Sequence, residues 1–315
     1  MNPWDVFLGT LEITLPVFAM VFIGLVLKRI GWIDQGFVAT ASALVFKGTM
    51  PTLIFLSLIQ ADIATAFNPG LMMYFTLATL ATFLVSWGWA IWRVPYADRG
   101  VYVQGAFRGN CGIVGLALAA SMYGDYGLSA GGLLLGVVIL SYNALSVIIL
   151  SAYRPGRKMA WLSIAKHIAR NPLILAVMAA LPFMMLDIAL PGWLMTSGEY
   201  FASLTLPLAL ICIGATLSVS ALRESHGSAV GASVMKMVIL PALATLGAWW
   251  TGFVDRELGI LFLFFASPTA AASFVMVKAM GGDARLSANI IALTTLMASL
   301  TITLGVFGLR VIGLI

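Results

Sequence analysis

Ten apolar runs succeed one another along this chain, over residues 8–28, 36–60, 69–92, 99–122, 127–153, 168–187, 198–222, 228–252, 257–279 and 284–311. Each matches the roughly 20 residues a helix needs to cross the hydrocarbon of a bilayer. In lipid every backbone N–H and C=O has to be paired within the chain, so such runs fold as spanning helices. The composition agrees: 61% of the 315 residues are hydrophobic and 9% charged, against about 45–50% and about 25% in soluble domains. An all-α integral membrane protein with ten spans is therefore expected, in a multi-pass arrangement in the cell's inner (plasma) membrane.

Composition also removes several functions. The 17 basic residues form no run that would grip nucleic acid. Cys111 and Cys212 lie inside apolar runs and His167 and His226 in connectors, so neither a disulfide framework nor a zinc-ligand spacing is present. GNCGIVG at Gly109–Gly115 follows no strand and lacks the Lys-Ser/Thr ending of a phosphate loop. No nucleophile with a nearby His stands within the runs, so no enzyme activity, cofactor or metal is expected. No Lys or Arg precedes Lys28, so the first run lacks the charged start of a cleaved signal peptide and is expected to be retained.

Basic residues also orient the chain. With the N-terminus outside, the inner connectors hold Lys28, Arg29, Arg93, Arg99, Arg154, Arg157, Lys158, Lys166, Arg170, Arg223, Lys278 and Arg285, while the outer ones hold Arg256 and Arg310. This follows the positive-inside rule and places both termini outside.

An internal repeat divides the chain. GDYGLSA at Gly124–Ala130 returns as GDARLSA at Gly282–Ala288, five of seven residues matching at an offset of 158. Five spans per half make the second copy inverted, so residues 1–153 form one repeat, 154–167 a cytoplasmic connector and 168–315 the inverted repeat. The same offset pairs Asn110 in span 4 with Pro268 in span 9. Gly and Pro around both positions predict a break in each span, exposing backbone groups that must face protein or a watery cavity. Breaks at equivalent places in inverted halves point to a binding site where they meet, expected at the bilayer midplane.

Three cations fall inside spans: Lys47, Arg108 and Lys236. A buried cation costs at least about 2.5–3.5 kcal/mol on insertion scales, so a partner, a cavity or an anionic ligand is required. With half-helix N-termini adding positive potential at the breaks, the expected guest is a small carboxylate. Arg108 would offer it a two-pronged contact, with Asn110, Ser267, Thr269 and the backbone around Gly109, Cys111, Gly112 and Pro268 completing the site. Each cation also has a structural reading. Lys47 stands one turn before Pro51 and either bonds carbonyls freed there or snorkels; Lys236, before Pro241, either adds positive field or snorkels; Arg108 either binds ligand or caps a half-helix. Asn143 is either interhelical glue or lining of the site. A cation-coupled antiporter or sensor is the alternative; it would need a buried carboxylate, for which Glu12, Asp62, Asp187 and Glu199 near span ends are the candidates.

The pattern Arg108-x-Asn110-x-Gly112-x-x-Gly115-Leu116, then Tyr123-Gly124-Asp125, with Ser267-Pro268-Thr269-Ala270 and Gly281-Gly282-Asp283, resembles the auxin efflux carrier family. Its members include plant PIN-type carriers and bacterial malonate-type permeases. Leu15-Pro16 with Gly24, Met50-Pro51, and Lys236 with Pro241 extend the likeness over nearly the whole chain. The resemblance implies a scaffold of helices 1, 2, 6 and 7, a transport domain of helices 3–5 and 8–10, and broken helices 4 and 9 that cross. It also implies elevator-type movement of a small organic anion, here malonate-like, with a proton or sodium as candidate coupling ion, and a homodimer. Gly109 stands where plant members commonly have Pro, and Ala117 where the motif often ends in Pro, so the first break rests on glycine. The long central loop of plant carriers is missing, which argues against an aromatic auxin as cargo.

Overall fold

The computed structural model describes residues 3–60, 68–153, 170–186, 188–217 and 227–315. The connector 154–167, with its RPGRK stretch, and Asp62, Asp187, His167 and His226 lie outside the described residues. Those described are almost entirely helical: α1 (Pro3–Arg29), α2 (Gln35–Gln60), α3 (Pro69–Arg93), α4 (Arg99–Phe107), α5 (Cys111–Ala152), α6 (Pro172–Met185), α7 (Gly192–Thr216), α8 (Gly227–Trp250), α9 (Asp255–Ala266), α10 (Ala272–Ala279) and α11 (Ala284–Val311).

Helix ends follow local chemistry. Asp34, Asn68, Asn171 and Asp283 accept from backbone N–H groups of the turns they open, at α2, α3, α6 and α11. Pro69 and Pro172 follow their caps directly, where a missing N–H costs nothing. Inside α2 and α8, Pro51 and Pro241 cannot donate to the carbonyl a turn earlier. Each is preceded by a widened π-helical turn, Val45–Thr49 and Met235–Ile239, that takes up the misfit.

Seven helices are long and apolar enough to cross a membrane among the described residues: α1, α2, α3, α5, α7, α8 and α11. The difference from ten apolar runs has identifiable causes. Runs 4 and 9 are interrupted, so neither α4, α9 nor α10 reaches spanning length alone. Run 5 and the second part of run 4 are two helical stretches that meet at a kink at Gly124, where φ of 57° and ψ of −135° leave the helical range; the label α5 covers both. Only glycine takes such a conformation at low cost. Run 6 contributes the shorter apolar helix α6.

Packing sorts the helices into two groups. α1 lies along α7 and α2 along α6, while α3, α4, α5, α8, α9, α10 and α11 pack mainly on one another. The α1–α7 contact is backbone to backbone: a Cβ on Gly24 would fall onto the carbonyl oxygen of Ile211, and one on Gly214 onto that of Val21. Such small-residue contacts substitute for the hydrophobic drive that lipid removes.

Candidate functional site

The interruption between α4 and α5 spans Arg108–Asn110, and that between α9 and α10 spans Ser267–Ala271. The two meet. Gly109 and Thr269 face each other as an antiparallel bridge, closed by Asn110 N donating to Pro268 O at 2.6 Å and Ala270 N donating to Arg108 O at 3.1 Å. Breaking a helix orphans the carbonyls of its last turn, which lipid cannot satisfy. Here side chains supply the missing donors. Thr269 Oγ1 donates to Gly105 O at 2.7 Å, Ser267 Oγ to Leu263 O at 2.8 Å, Cys111 Sγ to Phe264 O at 3.2 Å, and Lys236 Nζ to Phe265 O at 2.9 Å. Thr269 N in turn donates to Thr294 Oγ1 on α11.

This places the expected site residues in two sets. Lys236, 2% exposed, does not snorkel as one sequence reading had it; its ammonium is folded inward because Phe265 offers it an acceptor. Gly109 leaves room for it, since a Cβ there would stand 2.9 Å from Nζ. Arg108, 8% exposed, does not hold its guanidinium open to a guest. It donates to Asn143 Oδ1 at 3.0 Å and Ser146 Oγ at 3.1 Å on α5, and to Met276 Sδ at 2.7 Å on α10. Asn143 thereby ties α5 to the first break. Lys47 is exposed on α2. Arg108 and Lys236 are the only buried charged side chains among the described residues.

The second set opens onto a cavity. Asn110 and Gly112 line a space of ≈ 260 Å³, together with Ile113 and with Ala270, Ala271 and Ala272 from the other break. The far wall is Ser42, Val45, Phe46 and Met50 of α2, Leu173 of α6, and Ala209, Cys212, Ile213 and Thr216 of α7. The cavity thus lies between the two helix groups, with the starts of α5 and α10 both facing it. At a helix start the first N–H groups have no carbonyl one turn below; among the described residues none of Gly112, Ile113, Ala271 and Ala272 finds a backbone acceptor. Two converging helix starts make the near wall electropositive without a cationic side chain. The Asn110 side chain, half-buried, caps no backbone group. Its carboxamide can donate to a carboxylate. Thr216 spends its hydroxyl proton on Ile213 O.

Among the described residues no acidic side chain lines the cavity, and Glu12 and Glu199 are exposed. Sequence reasoning reached Asn110 and Gly112 through their place beside a break. It missed the wall: Ala271, Ala272, Ala209 and Ile213 carry no charge or motif that separates them from residues facing lipid.

Over residues 10–306, nearly the entire chain, the sequence matches the family described as membrane transport protein. The chain belongs to this family. It is the one that takes in the PIN-like auxin efflux carriers, so the resemblance carried by the two breaks extends over nearly the whole chain. An uncharacterized transporter of Methanocaldococcus jannaschii is 22% identical over 307 residues, covering 93% of this chain and 97% of that protein. An uncharacterized transporter of Methanothermobacter thermautotrophicus is 24% identical over 304 residues, covering 95% and 98%. Members of the membrane transport protein family are multi-pass membrane proteins, and the apolar helices of this chain fit that description.

Proposed function

We propose that this protein is a secondary transporter of a small organic anion, a malonate-like carboxylate, working by elevator-type alternating access in the inner membrane. The observation that carries the reading is the convergence of the α5 and α10 starts, with Asn110 between them, on one small cavity that no acidic side chain lines among the described residues. Helix starts at discontinuous helices are the general means by which carriers hold anionic groups in lipid. Asn110 and the N–H groups of Gly112, Ile113, Ala271 and Ala272 would bind one carboxylate. Lys236, Cys111, Ser267, Thr269 and Pro268 would keep the breaks open, and Arg108 with Asn143 would brace them from behind.

Ten spans in two inverted five-helix repeats accommodate the two interruptions at an offset of 158. With both termini outside, the cavity lies toward the cytoplasmic ends of α2, α6 and α7, which makes this an inward-facing state. α1, α2, α6 and α7 would then be the scaffold and, in a homodimer, the subunit contact. A proton or sodium ion is the coupling species to test.

Uptake of radiolabelled carboxylates into proteoliposomes, with and without imposed proton and sodium gradients, tests this directly. Asn110→Ala should lose at least about tenfold in carboxylate affinity, the value of one charge-assisted hydrogen bond of about 1.5–3 kcal/mol, while keeping its thermal unfolding profile. Unchanged uptake by that variant sinks the assignment.

A further inference from the structure

The two helix groups touch across a long interface, and its polar contacts are unevenly placed. Among the described residues three side-chain hydrogen bonds cross from one group to the other. Ser121 Oγ on α5 donates to Ile13 O on α1 at 3.0 Å, and Ser129 Oγ on α5 donates to Ser57 O on α2 at 3.0 Å. Thr303 Oγ1 on α11 donates to Thr14 Oγ1 on α1 at 3.0 Å, sharing its proton with Ser299 O at 2.7 Å. Ser57 is three residues from the end of α2, whereas the cavity meets α2 at Ser42, Val45, Phe46 and Met50. At about 1.5 Å of rise per residue, Ser57 stands roughly 18 Å beyond Val45 along the helix. Ser121 and Ser129 flank the Gly124 turn, away from the break where α5 meets the cavity. One end of the interface is held by hydroxyls and the other is open as a cavity.

Two of the three acceptors are main-chain carbonyls, and that of Ile13, well inside α1, is already engaged in its own helix. Ser121 donates to it as a second partner, so separation does not orphan it. Dry apolar packing adds to the same end: a Cβ on Gly132 of α5 would lie 3.6 Å from Ile54 Cγ2 on α2, and Ile54 is fully buried. Such a contact can be opened without exposing an unsatisfied backbone group, which a reversible closure requires.

We propose that Ser121, Ser129 and Thr303 form a latch that closes the side of the protein opposite the cavity and sets the balance between the two access states. This rests on the alternating-access reading above. The latch opens when the helix groups move, so deleting its hydroxyls raises the population in which that side is parted. A hydrogen bond inside a membrane protein shifts an equilibrium by about threefold on average, so the three together amount to about twentyfold if additive.

The test places a reporter cysteine in the closed face. Ile54→Cys in a Cys212→Ser background, in lipid nanodiscs, forms a mixed disulfide with a charged methanethiosulfonate reagent, releasing methanesulfinate, only when the interface parts; Cys111 is fully buried. Combined Ser121→Ala, Ser129→Ala and Thr303→Val should raise the labelling rate at position 54 by about tenfold or more. A control with Ser86→Ala, Ser141→Ala and Thr301→Val removes three hydroxyls bonded within their own helices and should leave the rate unchanged. No rise in the latch variant, or an equal rise in the control, overturns the proposal. Carboxylate binding is measured separately on the Asn110 variant, so failure of the cavity reading and failure of the latch give different results.

Discussion

Thr269→Val isolates one bond that ties the two breaks together. Valine has nearly the volume and branching of threonine, so packing is preserved and a single hydroxyl is lost. That hydroxyl donates to Gly105 O at 2.7 Å, and Thr269 is 2% exposed. Among the described residues no backbone donor reaches Gly105 O, because the chain has left the helix by Arg108. Orphaning a buried carbonyl costs about 1–3 kcal/mol in soluble proteins. In membrane proteins measured values average about 0.6 and reach about 1.7 kcal/mol, since the unfolded chain in lipid also finds partners. Here the second limit governs: in the unfolded-in-membrane state the break can heal into continuous helix, pairing Gly105 O without Thr269. The expected loss is therefore near the top of the membrane range, about 1–1.7 kcal/mol, or roughly tenfold in the folding equilibrium. Denaturant unfolding in mixed micelles, followed by the fluorescence of the nine tryptophans, measures it. Thr269→Ser keeps the donor and should recover most of the loss. A valine variant as stable as the parent, or a serine variant no better than valine, would refute the view that this hydroxyl satisfies the broken helix.

Other outcomes follow from the same geometry. Gly214→Ala should lose at least about 1–3 kcal/mol by driving a methyl into the Val21 carbonyl. Gly88→Ala, with nothing within 4 Å of its added carbon in α3, should be neutral or gain up to about 1 kcal/mol; the same unfolding assay compares them. Cys212 lines the cavity at 5% exposure. A small thiol reagent should block uptake through it, bound carboxylate should slow the reaction, and Cys212→Ser should be resistant; mass spectrometry should find Cys111 unmodified.

Much of this arrangement can be read from the residues. Charge and proline punctuation separate the helices, and the Gly109–Asn110 and Pro268 positions fall inside the two interruptions because both residue types fail in mid-helix. The seven-residue echo at Gly124 and Gly282 marks turns that precede long helices in both halves. The roles of Arg108 and Lys236 were not legible. A sequence shows that a cation is buried but not which carbonyl a break leaves exposed, and Phe265 O becomes an acceptor only once α9 stops at Ala266. The cavity wall was illegible for a different reason: Ala209, Ile213 and Leu173 have the composition of any lipid-facing surface, and only packing distinguishes them.

The bridge between Gly109 and Thr269 has one more implication. Because Asn110 N is tied to Pro268 O and Ala270 N to Arg108 O, the two cavity-lining residues Asn110 and Ala270 belong to one small piece of two-stranded ribbon. Under the alternating access proposed above, a guest resting on that ribbon would keep the same handholds for the whole journey. Recognition and passage would then fall to different parts of the molecule, and either could change in evolution without rebuilding the other.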